Sequence, residues 1–262
     1  MKTINLSCSN LAKLTGHNKF ESEEKTLHSI LNTNKIKKLY VPKSNIEEKL
    51  SKLDTESLEK IKKEMNLSSE SSILDIESEI KKKVMCKSYN PNIKEEESKQ
   101  LIDKGVNNCS LKVLGDSIKK DLMMKRGNIK ENSNLNTIQK KNKITIGERN
   151  SKMFEQELFQ SEDNVYNIII RGKMDGISDG HVVETKNRTK RLFNKIPDYE
   201  KVQMESYMFL SGLKKCIHIE HYDEESNQTI YEHDEVFWND CKEKIVNYIN
   251  TNVKPYLVEN RQ

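Results

Sequence analysis

Three residues stand at spacings that suit metal-assisted chemistry: Asp175, Glu184 and Lys186, in the segment G-K-M-D-G-I-S-D-G-H-V-V-E-T-K at 172–186. Asp179-Gly180 within it is a two-residue turn signal, because both central positions of a type I′ turn need positive φ, which glycine takes freely and aspartate tolerates. With that turn Ser178 faces His181, and counting outward sets Asp175 opposite Glu184. Directly opposed residues have Cβ atoms about 4.5–5.5 Å apart, so the two acids converge on one side of the sheet. They repel unless a cation, a proton or a basic neighbour compensates, and Mg²⁺ is suited because it takes carboxylate and water oxygens. Lys186 lies two residues beyond Glu184 and shares its face by the strand period. An exposed hairpin could carry the same charges without any chemistry. The apolar runs Ile168-Ile169-Ile170 and Val182-Val183 instead predict a central hairpin, where a buried acid pair is costly unless it has a use.

The elements that must position these groups follow from pattern. Runs 165–171, 173–178 and 181–186 are β-branched or alternating and predict three strands joined by tight turns. A helix over 199–213 follows Pro197 and stops at Gly212. Runs 216–222 and 228–233 predict another hairpin, and a final amphipathic helix runs from 234 to about 260, its regular part limited by Pro255. Upstream, 146–159 has helical character with Met153, Leu158 and Phe159 inward. The stretch 126–143, rich in Asn, Lys and Ser, predicts a mobile loop or linker. Ile46, Leu50, Leu53, Leu58 and Ile61, then Ile73, Ile76, Ile80 and Val84, recur at helical spacing through a strongly charged middle. Short helices are expected over 7–40 around Gly16-His17-Asn18, with Ser7 or Ser9 placed as a cap. The division expected is 1–40 as N-terminal helices packing on the core, 41–125 as a helical insertion, 126–144 as a flexible linker and 145–262 as an α/β core.

A chain of 262 residues suffices for one sizeable domain, or for one domain with a large insertion. Hydrophobic residues at 34% against 33% charged argue against a structural protein with extensive buried contacts. A formal charge of +4 does not by itself indicate nucleic acid. The local run Lys186, Arg188, Lys190, Arg191 and Lys195, with no acid between, says more. Cys8, Cys86, Cys109, Cys216 and Cys241 are scattered and never spaced C-x-x-C, which suggests neither a disulfide framework nor a zinc site and fits a reducing compartment. No stretch approaches the roughly 20 apolar residues needed to cross a bilayer, and the first residues lack the apolar run of a signal peptide. The expectation is a soluble intracellular protein, in cytoplasm or nucleus of a host cell, with no membrane partner and not secreted.

Asp175 followed by Glu184-Thr185-Lys186 resembles the PD-(D/E)XK nuclease motif. Gln203-Met204-Glu205-Ser206-Tyr207 resembles the QxxxY signature of the branch that includes RecB-type nuclease domains and lambda exonuclease, and Gln203 and Tyr207 share a helix face. The opening L-S-C-S-N-L-A-K-L-T-G-H-N-K-F is similar to the first helix and turn of the YqaJ-like viral recombinase and lambda exonuclease group. The likeness covers 5–24 loosely and 145–222 well, and leaves the helical middle uncovered.

That resemblance implies a restriction-endonuclease-like α/β core, a central mixed β-sheet flanked by helices, carrying the helical insertion. It implies hydrolysis of DNA phosphodiester bonds with one or two Mg²⁺ or Mn²⁺ ions held by Asp175, Glu184 and the Thr185 carbonyl. Lys186 would orient or deprotonate the attacking water. Gln203 would position the lysine or the water, and Tyr207 the substrate backbone. Ser9 would lie near a phosphate, and Arg188, Lys190 and Arg191 would meet phosphates further along. Exonuclease action is implied ahead of endonuclease action, in viral or phage-type recombination, replication or end processing, with DNA and a single-strand annealing or replication protein as partners. Some QxxxY relatives hold an iron–sulfur cluster on four cysteines; the scattered cysteines here imply none. One departure stands out, because the group's glutamate on the preceding helix falls, counting from Gly147, on Ser151. Glu148 and Glu155 lie on about the same helical face, and Glu148 is the preferred substitute as a further metal ligand. The competing readings are a catalytically inactive nuclease-fold module that binds DNA or a protein, and a helical adaptor acting through 45–125.

Overall fold

The computed structural model describes residues 1–90, 92–107, 109–142, 145–149 and 151–259. The chain opens with β1 (Lys2–Ser7), α1 (Cys8–Leu14) and α2 (Glu23–Thr33), and continues through α3 (Asn45–Leu50), α4 (Thr55–Glu64), α5 (Ile73–Ile80), α6 (Glu95–Val106) and α7 (Gly115–Asn142). The remainder is β2 (Phe154–Gln160), β3 (Tyr166–Gly172), β4 (Gly176–Ser178), β5 (His181–Asn187), α8 (Asp198–Ser211), β6 (Lys215–Tyr222), β7 (Glu225–Glu232), α9 (Glu235–Tyr248) and α10 (Lys254–Glu259). This is a mixed α/β fold with mixed sheets flanked by helices, as the sequence predicts.

The strands divide into two sheets rather than the single central one expected, ordered β1-β3-β2 and β4-β5-β6-β7. β1 runs parallel to β3 and β2 antiparallel to it. β5 pairs antiparallel with β4 and parallel with β6. The chain passes from one sheet to the other between Gly172 and Gly176, so Asp175 sits at the corner where they diverge. β1 lies outside the short helices expected at this end. Its alternation of buried Ile4 and Leu6 with less buried Thr3, Asn5 and Ser7 is that of a strand with one inward face.

Two further expectations are corrected. The segment 126–142 is the C-terminal half of α7 and not a loop; residues 143 and 144 of the expected linker lie outside the described residues. Its inward face is occupied at one point by Arg126, only 1% exposed, which donates to the carbonyls of Ser88, Asn90 and Ile93 and pairs with Glu95. A buried, fully bonded arginine replaces the apolar residue that periodicity looks for. Nor are the described residues of 146–159 helical, residue 150 lying outside them: Gly147 bridges Ile177, and β2 begins at Phe154. A register shift between Glu157 and Phe159 breaks the strand's alternation and lets it imitate helical spacing. Met153, expected inward, is exposed.

Three hydrophobic clusters hold the described residues together. Ile4, Leu6, Ile168, Ile170, Val202, Met208 and Ile245 belong to the sheet core between strands and α1, α8 and α9. Ile46, Leu50, Ile61, Ile76, Ile80, Ile118 and Leu122 form a separate core within the helical middle. α7 belongs to both ends of the molecule, since Leu135 and Ile138 near its C-terminus pack with Val183, Ile217 and Ile219 of the second sheet.

α8 follows Pro197 and ends at Gly212 with φ 71°, as the sequence predicts. It is seated against β3 at Gly172, where a Cβ would lie 2.7 Å from both Cys8 Sγ and Tyr207 Cε1. Gly172→Ala should lower stability by about 1–3 kcal/mol through overpacking, read as a reduced urea midpoint. An unchanged midpoint would refute the close approach of α1 and α8 at this point.

Candidate active site

The hairpin forms with the predicted turn and register. Asp179 and Gly180 have φ 45° and 73°, and Ser178 pairs with His181, Ile177 with Val182 and Gly176 with Val183. The ladder stops there, one step short of Asp175 and Glu184. Asp175 Oδ2 instead accepts hydrogen bonds from the Thr185 N–H at 2.7 Å and the Thr185 hydroxyl at 2.7 Å. Glu184 is 2% exposed. Its Oε1 accepts from Lys186 Nζ at 2.5 Å, while Oε2 is buried without a hydrogen-bond partner. Lys186 Nζ also donates to Gln203 Oε1 at 2.8 Å, and Gln203 Nε2 donates to the Tyr207 hydroxyl at 3.0 Å. Glu184, Lys186, Gln203 and Tyr207 thus form one hydrogen-bonded chain from β5 to α8.

Burial, and then the charge of Asp175, push the Glu184 carboxyl up to about 8. Burial works against the Lys186 ammonium, but the charge and hydrogen bond of Glu184 outweigh it and hold the amine above its ordinary range. Burial and the Glu184 charge also raise the Tyr207 phenol, which stays neutral. Burial pushes the Cys8 thiol up to about 12 against the lowering effect of a Ser206 hydrogen bond, which disfavours its thiolate.

These groups floor a cleft of about 390 Å³. Asp175, Glu184, Thr185, Lys186 and Gln203 line one side; Met123, Met124, Gly127, Asn128 and Glu131 of α7 line the other. Glu131 is a cleft-lining acid outside the residues singled out in the sequence. Its signal was the spacing Glu131-Leu135-Ile138, one helix face on which the two apolar residues pack against the second sheet. Reading 126–143 as a loop concealed it. Among the described residues no group of three or more His, Cys, Asp or Glu is placed to hold a metal ion. Asp175 and Glu184 still fit a hard divalent cation that keeps several waters: both offer oxygen, they repel each other, and Glu184 Oε2 lacks a partner.

No family model and no curated protein matches the chain. Among solved structures it is similar to an alkaline exonuclease (LHK-Exo) from Laribacter hongkongensis, at 14% identity over 53% of this chain and 73% of that chain, with a TM-score of 0.42. A structure of LHK-Exo in complex with dAMP is similar at 11% identity over 82% of this chain and 95% of that chain, TM-score 0.42.

The other residues singled out in the sequence divide into two groups. Lys190 and Arg191 are exposed on the connection from β5 to α8. Arg188 is turned inward and is not available to a phosphate. It donates to Glu220 Oε1 at 2.5 Å and to both Glu200 oxygens at 2.5 and 2.8 Å, and Glu200 also contacts His218 Nε2 at 2.9 Å. Burial opposes ionisation of Glu200, yet Arg188 and His218 hold its carboxyl down to about 2. The register explains the inward turn: Glu184 and Lys186 pair in parallel with His218 and Glu220, so one polar row runs along this face and Arg188 continues it. Glu148 is exposed and does not line the cleft. Glu155 lies on β2 and pairs with Arg171 at 3.0 Å. Neither supplies the acid expected there. Ser9 is exposed, hydrogen-bonded to Ser7 at 3.1 Å and outside the cleft, and Ser7 at the N-cap of α1 makes no side-chain capping bond.

Removing Arg188 would leave Glu200 with only His218 and Glu220 with only backbone donors, so Arg188→Ala should cost about 3–5 kcal/mol in urea unfolding, whereas Lys190→Ala should leave the midpoint unchanged. Equal small effects would show that Arg188 is not a buried anchor. A second expectation concerns Glu184, whose folded value of about 8 lies above its ordinary 4.5. Between those values the folded chain keeps a proton that the unfolded chain has released, so stability falls as pH rises through this window. In EDTA the melting temperature should therefore fall from about pH 5 to about pH 8, more steeply in wild type than in Glu184→Gln. Mg²⁺ should raise it at the upper end in wild type alone. Parallel slopes and no Mg²⁺ effect would mean that Glu184 neither resists ionisation nor meets the cation.

Proposed function

We propose that this chain is a metal-dependent nuclease that hydrolyses DNA phosphodiester bonds at the Asp175–Glu184 corner. The observation that carries the reading is Glu184 itself, buried beside a second acid with one oxygen unpartnered, and with a lysine fixed against the other. Such an arrangement is unfavourable in an inert protein and useful around a divalent cation.

Asp175 and Glu184 would hold the Mg²⁺ or Mn²⁺, the Thr185 carbonyl adding a third oxygen. When bound, the cation lowers the pKa of its water and neutralises charge that develops on the phosphorane. The chain's own residues do the rest. Thr185 fixes the Asp175 carboxylate by two hydrogen bonds. Lys186, kept cationic by Glu184 and aimed by Gln203, donates a hydrogen bond to the water or to a phosphate oxygen. That protonation state suits orientation and charge stabilisation better than proton abstraction. Tyr207 braces Gln203 with a neutral hydroxyl. Glu131, on the opposite wall of the cleft, would accept from water on the far side of the phosphate, a different role from the further metal ligand expected at Glu148. Lys190 and Arg191 would bind phosphates outside the cleft, giving sequence-independent, salt-sensitive affinity. On the strength of the sequence motifs we read the activity as an exonuclease of viral or phage-type recombination, replication or end processing.

The test is cleavage of end-labelled linear and closed circular DNA with Mg²⁺ or Mn²⁺. Glu184→Ala and Lys186→Ala should each lower the rate by at least about a hundredfold, and Glu131→Gln should lower it measurably. Release of label from linear DNA alone marks an exonuclease; cutting of the circle moves the same site to an endonuclease. No metal-dependent cleavage of either would overturn the proposal and leave a module that binds without cutting.

A further inference from the structure

A second groove, of about 620 Å³, lies between the α1–α2 unit and the helical middle, and it shares Met124 with the catalytic cleft. Six lysines line it against three acids. Three of those lysines are tied to carboxylates, but Lys43, Lys49 and Lys120 have no carboxylate partner among the described residues and leave net positive charge along the groove. Phe20, 86% exposed, stands on one wall, its ring edge-on to Tyr199 at 5.9 Å. Met124, 66% exposed, stands where the groove meets the cleft.

We infer that this groove takes a single strand of DNA and feeds it to the cleft. Unpaired lysines track a phosphate backbone, and an exposed aromatic ring and thioether offer apolar faces on which bases stack. A duplex keeps its base faces inside, so Phe20 and Met124 would have nothing to contact. A single strand presents both features at once. The helical middle is then half of the substrate track, supplying Lys43, Lys49, Lys120 and Met124, and not an appendage. The inference rests on the nuclease reading only for what happens to the strand at the cleft; binding in the groove stands or falls separately.

The experiment measures binding of a fluorescein-labelled oligo-dT and of a blunt hairpin duplex by anisotropy in EDTA, across a salt series, with cleavage assayed in parallel in Mg²⁺. Lys43→Glu/Lys49→Glu/Lys120→Glu should weaken oligo-dT binding at least tenfold and reduce the slope of log K against log salt by about 2, at roughly 0.7 per lost phosphate contact. Phe20→Ala alone should weaken it about tenfold with the salt slope unchanged. Reversing Lys87, Lys104 and Lys112, which are exposed and outside the groove, controls for net charge and should change binding little. Equal loss in the control triple, or an unchanged affinity in both groove variants, would overturn the groove. Loss for the duplex equal to that for oligo-dT would overturn the single-strand assignment. Binding lost in the groove variants of a protein that cuts nothing would uphold the groove while the nuclease reading fails. Cleavage by wild type with no groove effect on binding would do the reverse.

Discussion

A carboxylate taken out of water with one oxygen unpartnered is the demand to which the neighbouring structure answers. Glu184 meets that demand with Lys186 on one oxygen and a raised affinity for a proton on the whole group. Lys186, only partly exposed, finds a second acceptor in Gln203 of α8. Gln203 is held by Tyr207, and Tyr207 is wedged where β3 lacks a side chain at Gly172 and α1 presents Cys8. This chain of hydrogen bonds adds to the apolar contacts that seat α8 over the sheets.

A second set of buried charges lies further along the same strand face. Arg188, Glu200, Glu220 and His218 satisfy one another, and Glu220 also accepts from the backbone N–H groups of Phe193 and Asn194. Breaking one partner of such a cluster is costly because the others remain buried. The cluster thus ties the basic connection at 188–196 to the sheet, and it leaves Lys190 and Arg191 outside while taking Arg188 in. Its field also reaches the first set, since the Glu200 charge helps to hold Lys186 protonated. The two clusters differ in completeness: the outer one satisfies its carboxylates with arginine, histidine and backbone groups, whereas Glu184 keeps an unanswered oxygen. That difference sets the Glu184 corner apart from the outer cluster.

How much of this was legible depended on whether the local signal named its own geometry. Asp179-Gly180 admits essentially one hairpin register, so Asp175, Glu184 and Lys186 could be brought together by counting. Pro197 and Gly212 bracket α8 in the same way, placing Gln203 and Tyr207 on one face. Arg188 was misread because a basic run gives charge without direction; only the parallel register with Glu220 and His218, a long-range fact, turns it inward. β2 was hidden by a bulge that spoils the period of two. α7 was hidden by Arg126, whose burial depends on carbonyls at Ser88, Asn90 and Ile93, more than thirty positions away. Glu131 went with it, since a carboxylate can be assigned to a face only after its helix is recognised.

α7 also changes what the helical middle means for the site. Its 28 residues extend about 42 Å at 1.5 Å per residue, with Ile118 and Leu122 in the core of the insertion and Leu135 and Ile138 on the second sheet. Between those anchors lie Met124, Gly127, Asn128 and Glu131, the wall of the cleft. A continuous helix held at both ends transmits a displacement at one end to the other, because packed cores yield little to small strains. The separation of Glu131 from Asp175 and Glu184 is therefore set jointly by two hydrophobic cores. Gly127, where an added Cβ would stand 3.9 Å from Asn187 Cβ, marks where helix and strand approach. The insertion is then a determinant of cleft width, and a chain in which it were trimmed to a loop would retain the acids on the hairpin but lose the surface that faces them.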